Sequence, residues 1–596
     1  MPPESRRAAR AAAEQQKAAQ IAAASADSSA RKKGLRRRRA RTTWLIVGIA
    51  LVVLLAAACW LGFRALTVKD GLEESQRLVA ELQNGADVGA TVAQLSTHAE
   101  SAAGAASDPV WAVAEWIPFA GDNLRGVRLA AQSLDVLVND VALPVLDSTS
   151  DGGDLLPTLL SIAGEQSERV TQLADEVDAI QRSSALIGPV RNGVDMVAGV
   201  TGAAAPALEL LPSLLGADGP RNYLLVFQNN AETLALGGSA ASQTIVHVEN
   251  GAISMGNQGN SRTYQNGVAV DVEVPQSATD LYTSYLVDHI NTSMSRPDFP
   301  TAAQIMRAWW QRDIAPDQID GVISIDPLAL SRILTATGPI DLPLTGDTLT
   351  SENAVSLLLK DVYARWDSYK EPAKADAFFA SAAAAVFDKV SSGGFDPKSM
   401  LGAITDSANA GSILVWSEDE AVTAALAGTR ASGTLPTDNA ESTTVGVYFN
   451  NSNGSKIDYY TQANVTASAS CEADAATFNV NAGIALPITQ EQADALPRYV
   501  QSMTFGTTFR DWIFVYGPPG TTLADATVNG ERASVMHRDI DDLGRPVVAF
   551  EAWFDAGQEV TVNASFTGSG EFGPLQVQTN PMINTTPIAL QDGCAG

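Results

Sequence analysis

The chain has 596 residues, 45% of them hydrophobic, and a formal net charge of −28. That length suggests two to four domains and room for a sizeable core, while the acidic surplus argues against a nucleic-acid partner. The four histidines, His98, His247, His289 and His537, show no metal-ligand spacing. There is no Walker-type phosphate loop and no Gly-x-Ser-x-Gly elbow, so most standard enzyme classes lose support.

Residues 1–41 hold twelve Lys and Arg against three acids, net +9, which leaves −37 for the rest of a chain at −28 overall. Rich in Ala, Gln and Arg, this tail is expected to be disordered or loosely helical. Thr42 to Phe63 are 22 consecutive uncharged residues. At about 1.5 Å per residue they reach roughly 33 Å, enough for a bilayer core of about 30 Å. The reading is one transmembrane helix, 42–66, with cleavage after Ala56-Ala57-Ala58 as the alternative. Basic flanks stay in the cytoplasm, so the N-terminus is expected inside and about 530 residues outside. The run Arg36–Arg39 then reads as a topology signal and an anionic-lipid contact.

Residues 67–215 read as a helical stalk or bundle, with a partner-binding coiled coil as the sharper alternative. Val170, Leu173, Val177 and Ile180 follow three-four spacing. From Tyr223-Leu224-Leu225-Val226-Phe227 the pattern changes to a strand buried on both faces, bounded by polar Gln228-Asn229-Asn230. Thr244–Val248 and Ala252–Met255 flank Asn250-Gly251, a hairpin signal. Ala302–Arg312 is helical, with one of Trp309 and Trp310 expected in the core and the other half exposed. Gly321–Ile325 is a second buried strand, and Asp326-Pro327 starts the helix that Gly338-Pro339 ends. Two more helices follow, Asn353–Tyr363 and Lys374–Val390, completing an α/β domain over 216–430. Residues 440–596 alternate in short runs and read as an antiparallel β-sandwich. The fold class is therefore α+β and multidomain. Cys59 falls in the span, whereas Cys471 and Cys594 lie outside, where a disulfide between them or two free thiols are the alternatives.

Arg221–Glu232, Gly237-Gly238-Ser239, Pro297–Pro300, Asp320–Pro327, Thr337-Gly338-Pro339 and Asn450-Asn451 with Lys456–Tyr460 resemble an uncharacterised bacterial family, the domain of unknown function numbered 4012. The resemblance covers most of residues 108–590. It implies a membrane-anchored, extracytoplasmic protein of Gram-positive type with no assigned activity. The expected function is that of a cell-envelope protein that binds a cell-wall or lipid-linked polymer or scaffolds a partner.

The unit Gly321–Ile340, with Ala354–Arg365 and the helix near Asp376, is also similar in layout to the LytR–CpsA–Psr phosphotransferases. That resemblance implies transfer of a glycopolymer from a polyprenyl pyrophosphate to peptidoglycan, with arginines on the pyrophosphate and a carboxylate-held magnesium. Arg365 and Asp367 sit where that family places an arginine-rich segment, but Lys370, Lys374 and Asp376 follow instead of further arginines. The candidate phosphate ligands are thus Arg365, Lys370 and Lys374, with Arg262 as a partial substitute, and Asp367 and Asp376 are the metal candidates. Where that family has Arg-Ser-Asp this chain has Gly237-Gly238-Ser239, which reads as a tight turn or as a nest of amides for an anion.

Overall fold

The computed structural model describes residues 4–83, 87–150, 155–367, 370–472, 475–532 and 535–594, with the side chains of residues 4–9, 21–51, 54, 83, 149–150 and 539 outside the description. Most of the tail's basic side chains and the first half of the apolar run therefore lie outside the described residues. The chain divides into two compact units, Met1–Leu143 with Arg169–Ala203, and Pro144–Glu168 with Ala204–Gly596.

The first unit is helical. Helix α1, Glu4–Gln83, takes in the basic tail and the apolar run; Ala, Gln and Arg, which fill the tail, are good helix formers. Helix α2, Val88–Ala106, opens on Asp87, whose side chain accepts from the Ala90 N–H, and folds back along α1. The two approach closely because both are lined by small residues. A Cβ at Gly71 would stand 3.0 Å from the Cβ of Ala102. Helices α3, Pro109–Ala114, and α4, Gly121–Asp135, follow, and a π-helical turn, Val136–Ala142, extends α4. Val68, Ala102, Ala106, Trp111 and Ala131 are the centre of this core. Helices α5, Leu155–Gln181, and α6, Gly188–Leu214, complete the helical region, and the predicted stripe Val170, Leu173, Val177 and Ile180 is buried. Among the described residues, Gly121–Ser148 and Gly188–Leu214 are long and apolar enough to cross a membrane.

The second unit holds two β structures. Strands β1 (Arg221–Leu234), β2 (Gly237–Glu249), β3 (Ala252–Asn260), β4 (Gly321–Ile325) and β7 (Ile413–Ser417) form a sheet in the order β3-β2-β1-β4-β7. Strands β5 (Ile340–Leu342) and β6 (Asp347–Leu349) make a separate ribbon. Only β1 and β4 pair in parallel, so the sheet is mixed. Asn250 and Gly251 turn the β2–β3 hairpin at φ of 50° and 77°, the positive angles such a turn requires.

Helix α7, Phe299–Asp313, covers this sheet and buries both Trp309 and Trp310 completely, a correction to the expected half-exposed ring. Helix α8, Pro327–Thr337, starts on Asp326, whose carboxylate accepts from the Ala329 N–H at 2.8 Å. Helix α9 runs from Pro372 to Ser391.

The sandwich has two five-stranded sheets. One is β12-β15-β10-β9-β17: Thr521–Val528, Glu559–Gly568, Ala475–Ala485, Gln462–Glu472 and Ile588–Gly593. The other is β13-β14-β11-β8-β16: Val535–Asp542, Arg545–Phe554, Phe509–Tyr516, Thr443–Asn451 and Leu575–Thr579. It is not wholly antiparallel, because β16 lies parallel to β8 and β17 parallel to β9. The chain's last strands return along the two sheets in the direction of their partners. Cys471 and Cys594 form a disulfide across the β9–β17 pair. Leu224, Val226 and Trp309 share one buried cluster with Tyr448, Phe514, Tyr516 and Val547 of the sandwich. The mixed sheet and the sandwich are thus parts of one compact unit with a common core.

Candidate functional site

Each of the four candidate cations carries its own carboxylate. Arg262, just past β3, pairs with Asp376 on α9, which also accepts from the Asn260 carboxamide at 3.3 Å. Arg365, at the end of the short helix Val362–Arg365, makes a two-pronged contact with Asp347 of β6 at 2.5 and 3.0 Å. Lys370 pairs with Asp367 at 2.9 Å and Lys374 with Glu371 at 2.5 Å. Arg262 and Asp376 therefore meet at the start of α9, Lys374 turns to Glu371, and Arg365 is held on β6. Asp367 and Asp376, the metal candidates, each face a cation, which does not suit them to hold magnesium. Among the described residues there is no group of three or more His, Cys, Asp or Glu side chains placed to hold a metal ion.

Gly237-Gly238-Ser239 is not itself the turn but opens strand β2, paired with β1 directly after the turn at Ala235-Leu236. Gly237 has φ +126° and a Cβ there would collide with the Gln228 carboxamide. The Gly238 N–H donates to Gln228 Oε1 at 2.6 Å, and Ser239 Oγ donates to Glu232. The amide that would greet an anion is satisfied by the chain's own glutamine.

That glutamine opens a buried polar seam. Strand β1 does not end at Phe227, as the polar residues suggested, but continues to Leu234 through irregular pairing with β2. Gln228 Nε2 donates to Ser324 Oγ at 2.6 Å, Asn229 Nδ2 to the Tyr363 hydroxyl at 3.0 Å, and Asn230 Nδ2 to Asp326 at 3.0 Å. Beyond them the Thr233 N–H donates to Asp458 at 2.8 Å and Lys456 Nζ meets Glu232 at 2.8 Å. The side chains read as a strand-ending polar run tie β1 to β4, to Tyr363 and to the start of α8, while Glu232 and the Thr233 N–H tie it to the sandwich loop Asn451–Asp458. Buried amides need such partners, which is why the run can be internal.

Burial sets the protonation of this seam. Desolvation raises Asp326 to about 6, against hydrogen bonds from the Ala329 N–H and Asn230 that favour its ionised form. Asp458 is pushed up to about 7 by the same cause, against donors on Asn451 and Thr233. Asp511 is raised well above the carboxylate range by burial and then by Asp458. Burial disfavours the Lys456 ammonium, but Glu232 and the Tyr363 hydroxyl raise it overall. The neighbouring amides are locked: Asn451 Oδ1 accepts from the Asn453 N–H at 3.0 Å while its Nδ2 donates to Asp458 at 2.9 Å. With an N–H aimed at the carboxylate, Asn451 acts as a structural donor rather than as an oxygen ligand for a cation. Lys456 and Asp458 belong to a segment that the sequence marked by resemblance alone; nothing in its spacing signalled that both are buried.

The surface offers a different site. On the outer face of the β12-β15-β10-β9-β17 sheet, a shallow depression of about 230 Å³ is lined by Thr466, Ser468, Asn479, Asn481, Asn563 and Ser565, with Asp525 at its side. Strict alternation places these residues outward while Ala467, Phe478, Val480, Ala564 and Phe566 face the core. Register makes two lateral rows. One runs Thr527, Asn563, Asn481, Thr466; the next runs Asp525, Ser565, Asn479, Ser468, with Gln591 opposite Ser468. Asn481 Nδ2 donates to Asn563 Oδ1 at 2.7 Å. The dish thus presents neutral donors and acceptors, one carboxylate and no aromatic ring. Chemically it suits a hydroxylated ligand held by hydrogen bonds.

Residues 218–363 match the family described as "Protein of unknown function (DUF4012)". The family resemblance carried by Arg221–Glu232, Gly237–Ser239 and Asp320–Pro327 is shown over that segment, which is narrower than the 108–590 read from the sequence. It runs from the turn before β1 to Tyr363 and so contains the β1 half of the buried seam. No curated protein and no solved structure matches the chain, and the similarity to the LytR–CpsA–Psr phosphotransferases finds no support in the comparisons.

Proposed function

We propose that this is a single-pass, membrane-anchored, extracytoplasmic cell-envelope protein that binds a cell-wall or lipid-linked polymer through the outer face of its sandwich. The basic tail, the 22-residue uncharged run and the acidic remainder support the topology, and a disulfide suits an oxidising compartment outside the membrane. The observation that carries the ligand class is the dish, with its in-register Asn, Ser and Thr rows. Without aromatic stacking, a single sugar unit would be held weakly. A repeating polymer presented to a membrane-tethered array of dishes gains by effective concentration. The cations of the alternative transferase reading are paired singly with carboxylates, and no observation favours that reading.

The test uses the full chain in lipid nanodiscs, mixed with purified insoluble peptidoglycan and sedimented, alongside mass spectrometry for co-purifying polyprenyl phosphate lipid. The wild-type protein should sediment, and the Asn479→Ala/Asn481→Ala variant should stay in solution. Equal sedimentation of the two would move the site off the dish. Absence of both sedimentation and co-purifying lipid would leave only the scaffold reading.

A further inference from the structure

The corner of the first unit beside Trp60 carries aromatic side chains that are almost wholly exposed among the described residues. Asp108, the N-cap of α3, accepts from Trp60 Nε1 at 2.9 Å and from Arg64 Nε at 3.1 Å. Leu61 and Ala65 pack on the cluster that contains Trp111. The end of α2 and the start of α3 are therefore level with residues 60–65, where the uncharged run gives way to Arg64. From there α4 climbs back along α2. The Trp111 indole donates to the Leu124 carbonyl at 3.0 Å and Gln132 to Ser107 Oγ at 3.1 Å. The α3–α4 corner, residues 115–120, thus lies at the end of the bundle tied to Trp60 and Arg64. At about 1.5 Å per residue, Gly121 lies on the order of 15 Å of helix from Gln132.

This corner exposes what a soluble surface normally hides. Val113 is 73% exposed, Trp116 89% and Phe119 93%. Phe119 is held at φ +68°, in the left-handed region that non-glycine residues rarely adopt. The turn cannot relax, because Gly121 donates to the Ile117 carbonyl at 2.8 Å and a Cβ at Gly121 would collide with the Glu115 carbonyl. A second loop meets the corner from the α5–α6 hairpin. Asn123 Oδ1 accepts from the Ile187 N–H at 2.8 Å and Ser183 Oγ donates to Asp122 at 2.6 Å, and Ile187 is itself 59% exposed. Two segments distant in sequence thus present apolar side chains at one end of the bundle, the end tied to Trp60. The charged groups around them are paired: Glu115 with Arg128, Asp108 with Arg64, Arg125 with Glu176.

We infer that this corner is a second membrane contact, in which Trp116, Phe119 and Ile187 enter the outer leaflet of the bilayer that the apolar run of the same chain spans. The inference rests on the anchor reading of residues 42–66. Continuity with the end of the span chooses the occupant: Trp60 and Phe63 mark the interface on α1, and aromatic rings collect at that depth. Apolar side chains backed by paired charges match a surface that dips about 5–10 Å into the headgroup and acyl boundary. The consequence is a bundle seated on the bilayer rather than one swinging from a single helix.

The test is spin-label accessibility in the full chain reconstituted in phosphatidylethanolamine–phosphatidylglycerol vesicles. In a Cys59→Ala background, one nitroxide is placed by Trp116→Cys, by Phe119→Cys, by Val53→Cys in the span, or by Ser392→Cys as an aqueous reference. Labels at 116, 119 and 53 should be more accessible to oxygen than to a water-soluble nickel chelate, and the label at 392 the reverse. If 53 reads as bilayer and both 116 and 119 read as water, the inference is wrong and the anchor stands. If 53 also reads as water, the anchor reading fails and takes the inference with it. Labels at 116 shielded from both reagents and dipolar-coupled between copies would make the corner a contact between two chains and overturn the leaflet assignment.

Discussion

Arg296 and Asp542, 246 positions apart, meet as a buried two-pronged ion pair, with Nε to Oδ2 at 3.0 Å and Nη2 to Oδ1 at 2.9 Å. The carboxylate also accepts from Ser277 Oγ at 2.7 Å and from the Tyr516 hydroxyl at 3.0 Å, and Tyr516 meets Tyr282 at 2.6 Å. Every polar atom drawn out of water here has a partner, the condition under which a buried pair is tolerated. The pair fastens the segment before α7 to the far end of the sandwich.

Removing Asp542 leaves the buried Arg296 with Asp298 as its remaining carboxylate partner, and breaking a buried pair costs up to about 3–5 kcal/mol. Asp542→Ala should lower stability by that amount in urea unfolding. The double variant Arg296→Met/Asp542→Leu, which removes both charges and keeps much of the volume, should lose clearly less. An equal loss in the two would mean that packing, not charge, sets the cost.

The seam makes stability depend on pH. Asp326 at about 6 and Asp458 at about 7 lie above the ordinary carboxyl value near 3.9. Between those values the folded chain holds protons that the unfolded chain releases. The stability these groups contribute is therefore full below about pH 4 and is lost as pH rises through 6 and 7. The urea midpoint should fall from pH 5 to pH 8, by at most about 1.4 kcal/mol per pH unit for each group, and Asp458→Asn should flatten part of that fall. Asp313 and Asp347, whose partner arginines lower them, change only in more acid solution and do not mask the trend. A midpoint that rises with pH over this window would remove the assignment.

Cys471–Cys594 closes a segment with a sequence separation of 123 and holds β17 beside β9. Cross-links over loops of this size contribute about 2–5 kcal/mol. Cys471→Ser/Cys594→Ser should lose stability in that range, and the wild-type protein should gain two reactive thiols only under reductant. Hydrogen exchange should show the loss first in β17, whose outward residues are exposed.

Arg365→Ala and Lys374→Ala should each change stability by about 1 kcal/mol or less, because both pairs are solvent-exposed. Neither should alter polymer sedimentation. A loss of polyprenyl pyrophosphate binding in both variants, measured by lipid co-purification, would instead revive the transferase reading.

Local pattern made several elements legible. The runs at Tyr223–Phe227 and Gly321–Ile325 are strands because an unbroken apolar run bounded by turns has no other stable burial. Asp326-Pro327 is a cap because aspartate supplies the acceptor and proline needs no donor. The stripe on α5 is buried because its spacing repeats the helix. The same reasoning stopped β1 at Phe227, since Gln228-Asn229-Asn230 looks like a strand's solvated end. Their partners, Ser324, Tyr363 and Asp326, lie 96 to 134 positions away, and no local window contains them. For the same reason Arg262, Arg365, Lys370 and Lys374 could be picked out as cations but not as cations already neutralised.

The sequence by itself determined the charge step, the 22-residue uncharged run, the helical stretch, the alternation of the sandwich and the family resemblance, because each is written in neighbouring residues. Only the tertiary structure decided that the polar run of β1 is internal and that the mixed sheet and the sandwich share a core. It alone put Asn, Ser and Thr from β9, β10 and β15 into a dish, and Trp116, Phe119 and Ile187 at one end of a bundle. Those are long-range juxtapositions, created by strand register and helix packing, and burial or exposure follows from them rather than from residue type.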